Sequence, residues 1–156
     1  MKNTGTLVLC AIFSCITILT QAQDKSIPLN EPDYNKPKLF QNLPEKINVD
    51  VATLETLFNA DINHPASMTI AGVQFQGNVS SKNNIISTTS QTSTVILSLS
   101  NYPGANFTLS KIISADGTTS YIGRIISFKR GDLLELQNQK GNWVLVKRNY
   151  YDLINE

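Results

Sequence analysis

NFTLSKIISADGTTSYIGRIISFKRGDLLELQNQKGNWVLVKRN, residues 106–149, is the stretch that decides the fold. Apolar and polar residues alternate along four runs. Three glycine corners separate the runs: Asp116-Gly117, Lys129-Arg130-Gly131 and Gln139-Lys140-Gly141. Alternation with period two marks strands half-buried in a sheet, and a glycine supplies the positive φ that a tight hairpin needs. The stretch therefore predicts a four-strand antiparallel meander.

The corners also predict a register. A two-residue Asp116-Gly117 turn sets Ala115 opposite Thr118 and Phe107 opposite Ile126. Three-residue loops at the next two corners set Ile126 opposite Leu134 and Leu136 opposite Val144. The expected core face is then Phe107, Leu109, Ile113, Ile122, Ile126 and Phe128, continued by Leu134, Leu136, Val144 and Val146. The other face is only partly polar. It carries Tyr121, Ile125, Leu133, Trp143 and Leu145, which become the candidate partner surface, since a sheet face this apolar must meet something. Gly123, inside a strand, marks close packing.

Upstream of this stretch, TSTVILSLS and MTIAGVQFQGNVS also alternate. The second shifts phase near Gly72, which reads as a bulge. Residues from Ser80 to Gln91 are polar apart from Ile85 and Ile86. Before these strands, NVDVATLETLFNA places Val51, Leu54, Leu57 and Phe58 at helical spacing behind Asp50, a capping residue. One short amphipathic helix is expected, about 50–59. The fold class that follows is mainly β: a six-strand antiparallel meander forming a small, partly open barrel or sandwich, with one N-terminal helix.

Residues 23–47 hold Pro28, Pro32, Pro37 and Pro44, which exclude a long helix and disfavour a central strand. They read as an extended arm, docked through Leu39, Phe40 and Leu43. Residues 1–22 have a basic start at Lys2, an apolar run from Leu7 to about Leu19 and a small-residue exit at Ala22, the layout of a secretory signal peptide. The expected domain order is signal peptide 1–22, arm 23–47 and β-rich domain 48–156. The expected location is secreted or periplasmic, with no membrane span once the leader is removed. A lipid anchor at Cys15 fits poorly because bulky Phe13 precedes it.

Both cysteines, Cys10 and Cys15, fall in the leader. The exported chain would then hold neither disulfide nor thiol nucleophile, and its stability must come from a core. Acids and bases balance, and no basic stripe suggests nucleic acid. The single histidine, His64, excludes a two-histidine metal site, although a mixed site with Asp61 is conceivable. Neither a nucleophile elbow nor a phosphate loop occurs. Asp132 and Glu135 should face opposite sides of a strand, which separates them as a catalytic pair. Asn78-Val79-Ser80 and Asn106-Phe107-Thr108 match glycosylation sequons.

Arg130-Gly131-Asp132 spells the adhesive tripeptide, but it falls on a predicted hairpin corner with Asp132 drawn into the next strand. The functional expectation is a non-enzymatic binding domain without a cofactor, its partner a protein or glycan. The alternatives are an inhibitor or chaperone of an exported enzyme, a structural envelope component, and a carboxylate-based enzyme.

Overall fold

The computed structural model describes residues 35–153. The expected leader and the first part of the arm lie outside these residues. The chain folds as β1 (Lys46–Val49), α1 (Val51–Asn59), β2 (Pro65–Ile70), β3 (Val73–Ile86), β4 (Ser90–Leu99), β5 (Asn106–Ser114), β6 (Thr119–Ile126), β7 (Asp132–Gln139) and β8 (Asn142–Asn149), with a closing 3-10 turn at Tyr150–Leu153. The class is mainly β, as the alternation implied, but eight strands form the sheet rather than six. Their order is β1-β8-β7-β6-β5-β4-β3-β2, and every neighbouring pair is antiparallel.

The two additional strands have local causes. The phase shift at Gly72 is a hairpin turn and not a bulge: Ala71 and Gly72 both take positive φ, 46° and 82°, and Ile70 pairs with Val73. The strand read as one is thus β2 and β3. The arm's end, Lys46–Val49, becomes β1 by pairing with β8.

The sheet curls into a half-barrel. Flat strands spaced about 4.8 Å apart would put its two edges more than about 30 Å apart. Edge strands β1 and β2 instead come into contact, and α1 runs from one to the other. Asp50 caps α1 by accepting from the Ala52 N–H at 3.2 Å. Leu54 and Leu57 are buried on the face turned to the sheet. At the other end, the Lys82 ammonium donates to the Phe58 and Ala60 carbonyls at 2.7 and 3.0 Å, covering acceptors that the last turn leaves unpaired.

All three corner registers differ from expectation by one residue. Ala115-Asp116-Gly117 is a three-residue loop: Ser114 and Thr118 close it, and Gly117 takes φ +81°. Phe107 therefore pairs with Ile125, not Ile126. At the second corner, Ile126 pairs with Leu133, and the Ser127 carbonyl accepts from the Arg130 N–H. At the third, Lys140 and Gly141 form a two-residue loop, with φ 55° and 88°, so Leu136 pairs with Leu145 rather than Val144.

A one-residue slip reverses a strand's faces. The first slip turns β6 over, the second restores β7, and the third turns β8 over. The core accordingly holds Phe107 and Leu109, then Tyr121 and Ile125, then Leu134 and Leu136, then Leu145. Gly123 lies among them, where an added Cβ would come within 3.2 Å of Leu109, Leu136 and Phe107. Ile122 and Phe128, expected inside, are 58% and 70% exposed.

The last part of the arm is docked, as its apolar residues implied. Phe40 is fully buried, and its ring lies 5.3 Å from that of Tyr102, which in turn meets Phe75 at 5.5 Å. Asp132, 1% exposed, accepts from the Leu39 and Phe40 N–H groups at 2.6 and 2.8 Å. Gly131 does not use a left-handed corner. It is needed for close approach, since a Cβ there would sit 2.7 Å from the Lys36 carbonyl oxygen. Lys147, its side chain 11% exposed, donates to the Leu43 carbonyl and pairs with Glu45 at 3.0 Å.

Candidate functional site

The five residues expected at a partner surface are interior. Tyr121, Ile125 and Leu145 are buried in the main core, Leu133 is fully buried outside it, and Trp143 is half-buried against it. The register slips put Tyr121, Ile125, Trp143 and Leu145 there, whereas Leu133 keeps the face expected of it. Of the five, only Trp143 keeps partial exposure.

One polar cluster joins α1 to the sheet. The Glu55 carboxylate accepts from the Tyr121 hydroxyl and pairs with the Lys111 ammonium at 2.8 Å. The Tyr121 ring meets Trp143 edge-on at 5.5 Å. Burial raises Glu55's carboxyl, but the bonds from Lys111 and Tyr121 and the charge of Lys111 outweigh it, leaving the group below its ordinary range. Burial, then the bond to Glu55 and its negative charge, push Tyr121 up to about 12. A tyrosine held that high keeps its proton at neutral pH and is poorly matched to general acid–base work. The cluster acts as a brace: it fixes the helix over the sheet.

On the outer face, Glu135 accepts from Arg124 at 2.9 Å and lies 3.6 Å from Arg148. Glu135 is depressed overall: burial opposes this, and the Gln137 and Arg124 bonds with the two arginine charges prevail. Asp132 and Glu135 do face opposite ways, and both carboxylates are occupied by partners within the fold. His64 is exposed, its Nδ1 3.2 Å from the Ile62 carbonyl oxygen. Among the described residues, no group of three or more His, Cys, Asp or Glu side chains is arranged to hold a metal.

The feature the sequence reading passed over is the outer edge of β3. β2 pairs with β3 only as far as Asn78, and the Asn63–His64 segment extends this cover to Val79. There a bulge interrupts the β3–β4 register, between Val79 and Ser81. Beyond it, β3 runs to Ile86, bonded to β4 on one side alone among the described residues. Every residue from Ser80 to Ile86 is exposed, and Ile85 and Ile86 are 58% and 74% exposed.

A cleft of about 310 Å³ lies against this segment, lined by Phe58, Lys82, Asn83, Asn84, Ser93 and Thr94. A second open cleft, about 470 Å³, lies beside Trp143, with Asn48, Asp50, Val51 and Asn142 in its wall. A signal for the edge was present: β-branched Ile85-Ile86 closes the polar run, and such residues favour strands over loops.

Comparison of the chain with protein-family models, with curated proteins and with solved structures finds no match.

Proposed function

We propose that this protein is a small exported interaction domain that binds a protein partner by strand addition along β3. The carrying observation is the exposed edge from Ser80 to Ile86, unpaired among the described residues, with two bare isoleucines at its end. A sheet edge presents a row of backbone donors and acceptors that an added strand satisfies, while alternate side chains set specificity. Natural edges are usually guarded by outward lysines, prolines or covering segments. Here the bulge guards only the start of the segment, and its one charged residue, Lys82, is turned to the helix end. The non-catalytic reading is supported by the ionisable clusters, whose members bond to one another across the fold.

The test is site-directed photocrosslinking in producing cells. A crosslinker at Asn83 should give a discrete protein adduct, whereas one at Gln137 on the outer face of β7 should not. Absence of any adduct at Asn83, or identical adducts from both positions, would overturn strand addition at this edge.

A further inference from the structure

We infer that the occupant of the β3 edge is a second copy of this chain, paired antiparallel about a two-fold axis through Asn83; the inference rests on the edge reading above. The segment Ser80-Ser81-Lys82-Asn83-Asn84-Ile85-Ile86 is suited to meet itself. A two-fold interface sets the same patch against its own copy, so any outward charge would meet a like charge. The segment's one charge is turned away from the edge: the Lys82 ammonium reaches the Phe58 and Ala60 carbonyls at 2.7 and 3.0 Å. Asparagine and serine side chains each donate and accept, so identical residues can bond across the axis.

Centring the axis on Asn83 uses the regular strand that follows the bulge. Asn83 then faces its own copy, Ser81 faces Ile85, and Lys82 faces Asn84. Residues opposite one another in an antiparallel pair share a face. Ser81, Asn83 and Ile85 of both copies therefore lie on the outer face, and the two sheets join into one without a change of side. Each Ile85, 58% exposed in the single chain, gains a cross-strand neighbour.

Sedimentation velocity on the purified protein, from about 1 μM to about 500 μM, tests this. The wild type should shift from monomer to dimer across that range. Ser81→Lys combined with Ile85→Lys sets base against base at two symmetric positions, and should weaken the dimer by about tenfold or more. Ser81→Glu combined with Ile85→Lys sets acid opposite base in the same register and should restore it. All substitutions are at exposed positions, so circular dichroism should show the fold kept. A wild type that stays monomeric throughout, or two double variants that dimerise equally, overturns the inference. If the protein is monomeric while Asn83 crosslinks to a different protein, the self-pairing fails and the edge reading stands. If neither adduct nor dimer forms, both fail.

Discussion

Asp132→Asn probes the contact that holds the arm. The carboxylate is 1% exposed and accepts from two backbone N–H groups, those of Leu39 and Phe40, at 2.6 and 2.8 Å. An amide of nearly the same shape keeps one acceptor oxygen and turns an NH2 toward the other N–H. One charge-assisted bond is lost, one is weakened, and a buried donor is left facing a donor. Bonds to charged groups contribute about 1.5–3 kcal/mol each, and an unsatisfied buried group costs about 1–3 kcal/mol. The full penalty is offset in part because the arm can move away, so a loss of about 2–4 kcal/mol is expected. For a domain of this size, that lowers Tm by roughly 10 °C.

Urea unfolding gives the free energy, and hydrogen exchange gives the location. The amides of Leu39 and Phe40 should lose protection more than those of β5. Phe40→Ala should cost about 3–5 kcal/mol, as expected for a fully buried ring. A change below about 0.5 kcal/mol for Asp132→Asn, with exchange at Leu39 and Phe40 unaltered, would refute the anchoring argument.

Further predictions concern the brace and a corner. Glu55's carboxyl is depressed in the folded state, so its contribution is present above its ordinary value and is lost as pH falls through the lowered one; Glu55→Gln should flatten the acid side of the stability profile. Tyr121 is raised to about 12, so its contribution is complete below its ordinary value near 10 and declines as pH rises toward 12. Glu55→Gln should bring the tyrosine titration to lower pH, as read by near-ultraviolet absorbance; an unchanged curve would discount the bond. Lys140 holds φ 55° before Gly141 at φ 88°. Asparagine tolerates that conformation better, so Lys140→Asn should stabilise by about 0.5–1 kcal/mol in urea unfolding, and a destabilisation would contradict the two-residue turn.

The sequence located the corners of the meander but not their lengths. Asp116-Gly117 and Lys140-Gly141 both end in glycine, and glycine serves equally as the second residue of a two-residue turn or the third of a three-residue loop. Lys140 in a left-handed conformation is a choice that local propensity does not favour; burying Leu145 and packing Trp143 on Tyr121 outweigh it. Because each slip exchanges faces, errors of one residue moved Ile122 outside and Ile125 inside. What was local was legible: the Asp50 cap and α1, the docking of Leu39, Phe40 and Leu43, and the packing role of Gly123. What was distant was not. Nothing near Asp132 in the chain announces that it serves amides at Leu39 and Phe40, and the polar run after Val79 hides a strand whose defining property is the neighbour it lacks among the described residues.

The same distance changes how Asp132 in Arg-Gly-Asp is understood. An aspartate 1% exposed and bonded to two amides is not displayed for adhesion. It also imposes an order of events. Among the described residues, β1 has its ladder partner only in β8, the last strand, and Phe40 waits on Asp132. A chain emerging N-terminus first cannot seat Phe40 or β1 until β7 and β8 have emerged. Such closure between distant segments slows folding, so the seal between Phe40 and Asp132 belongs to its late steps.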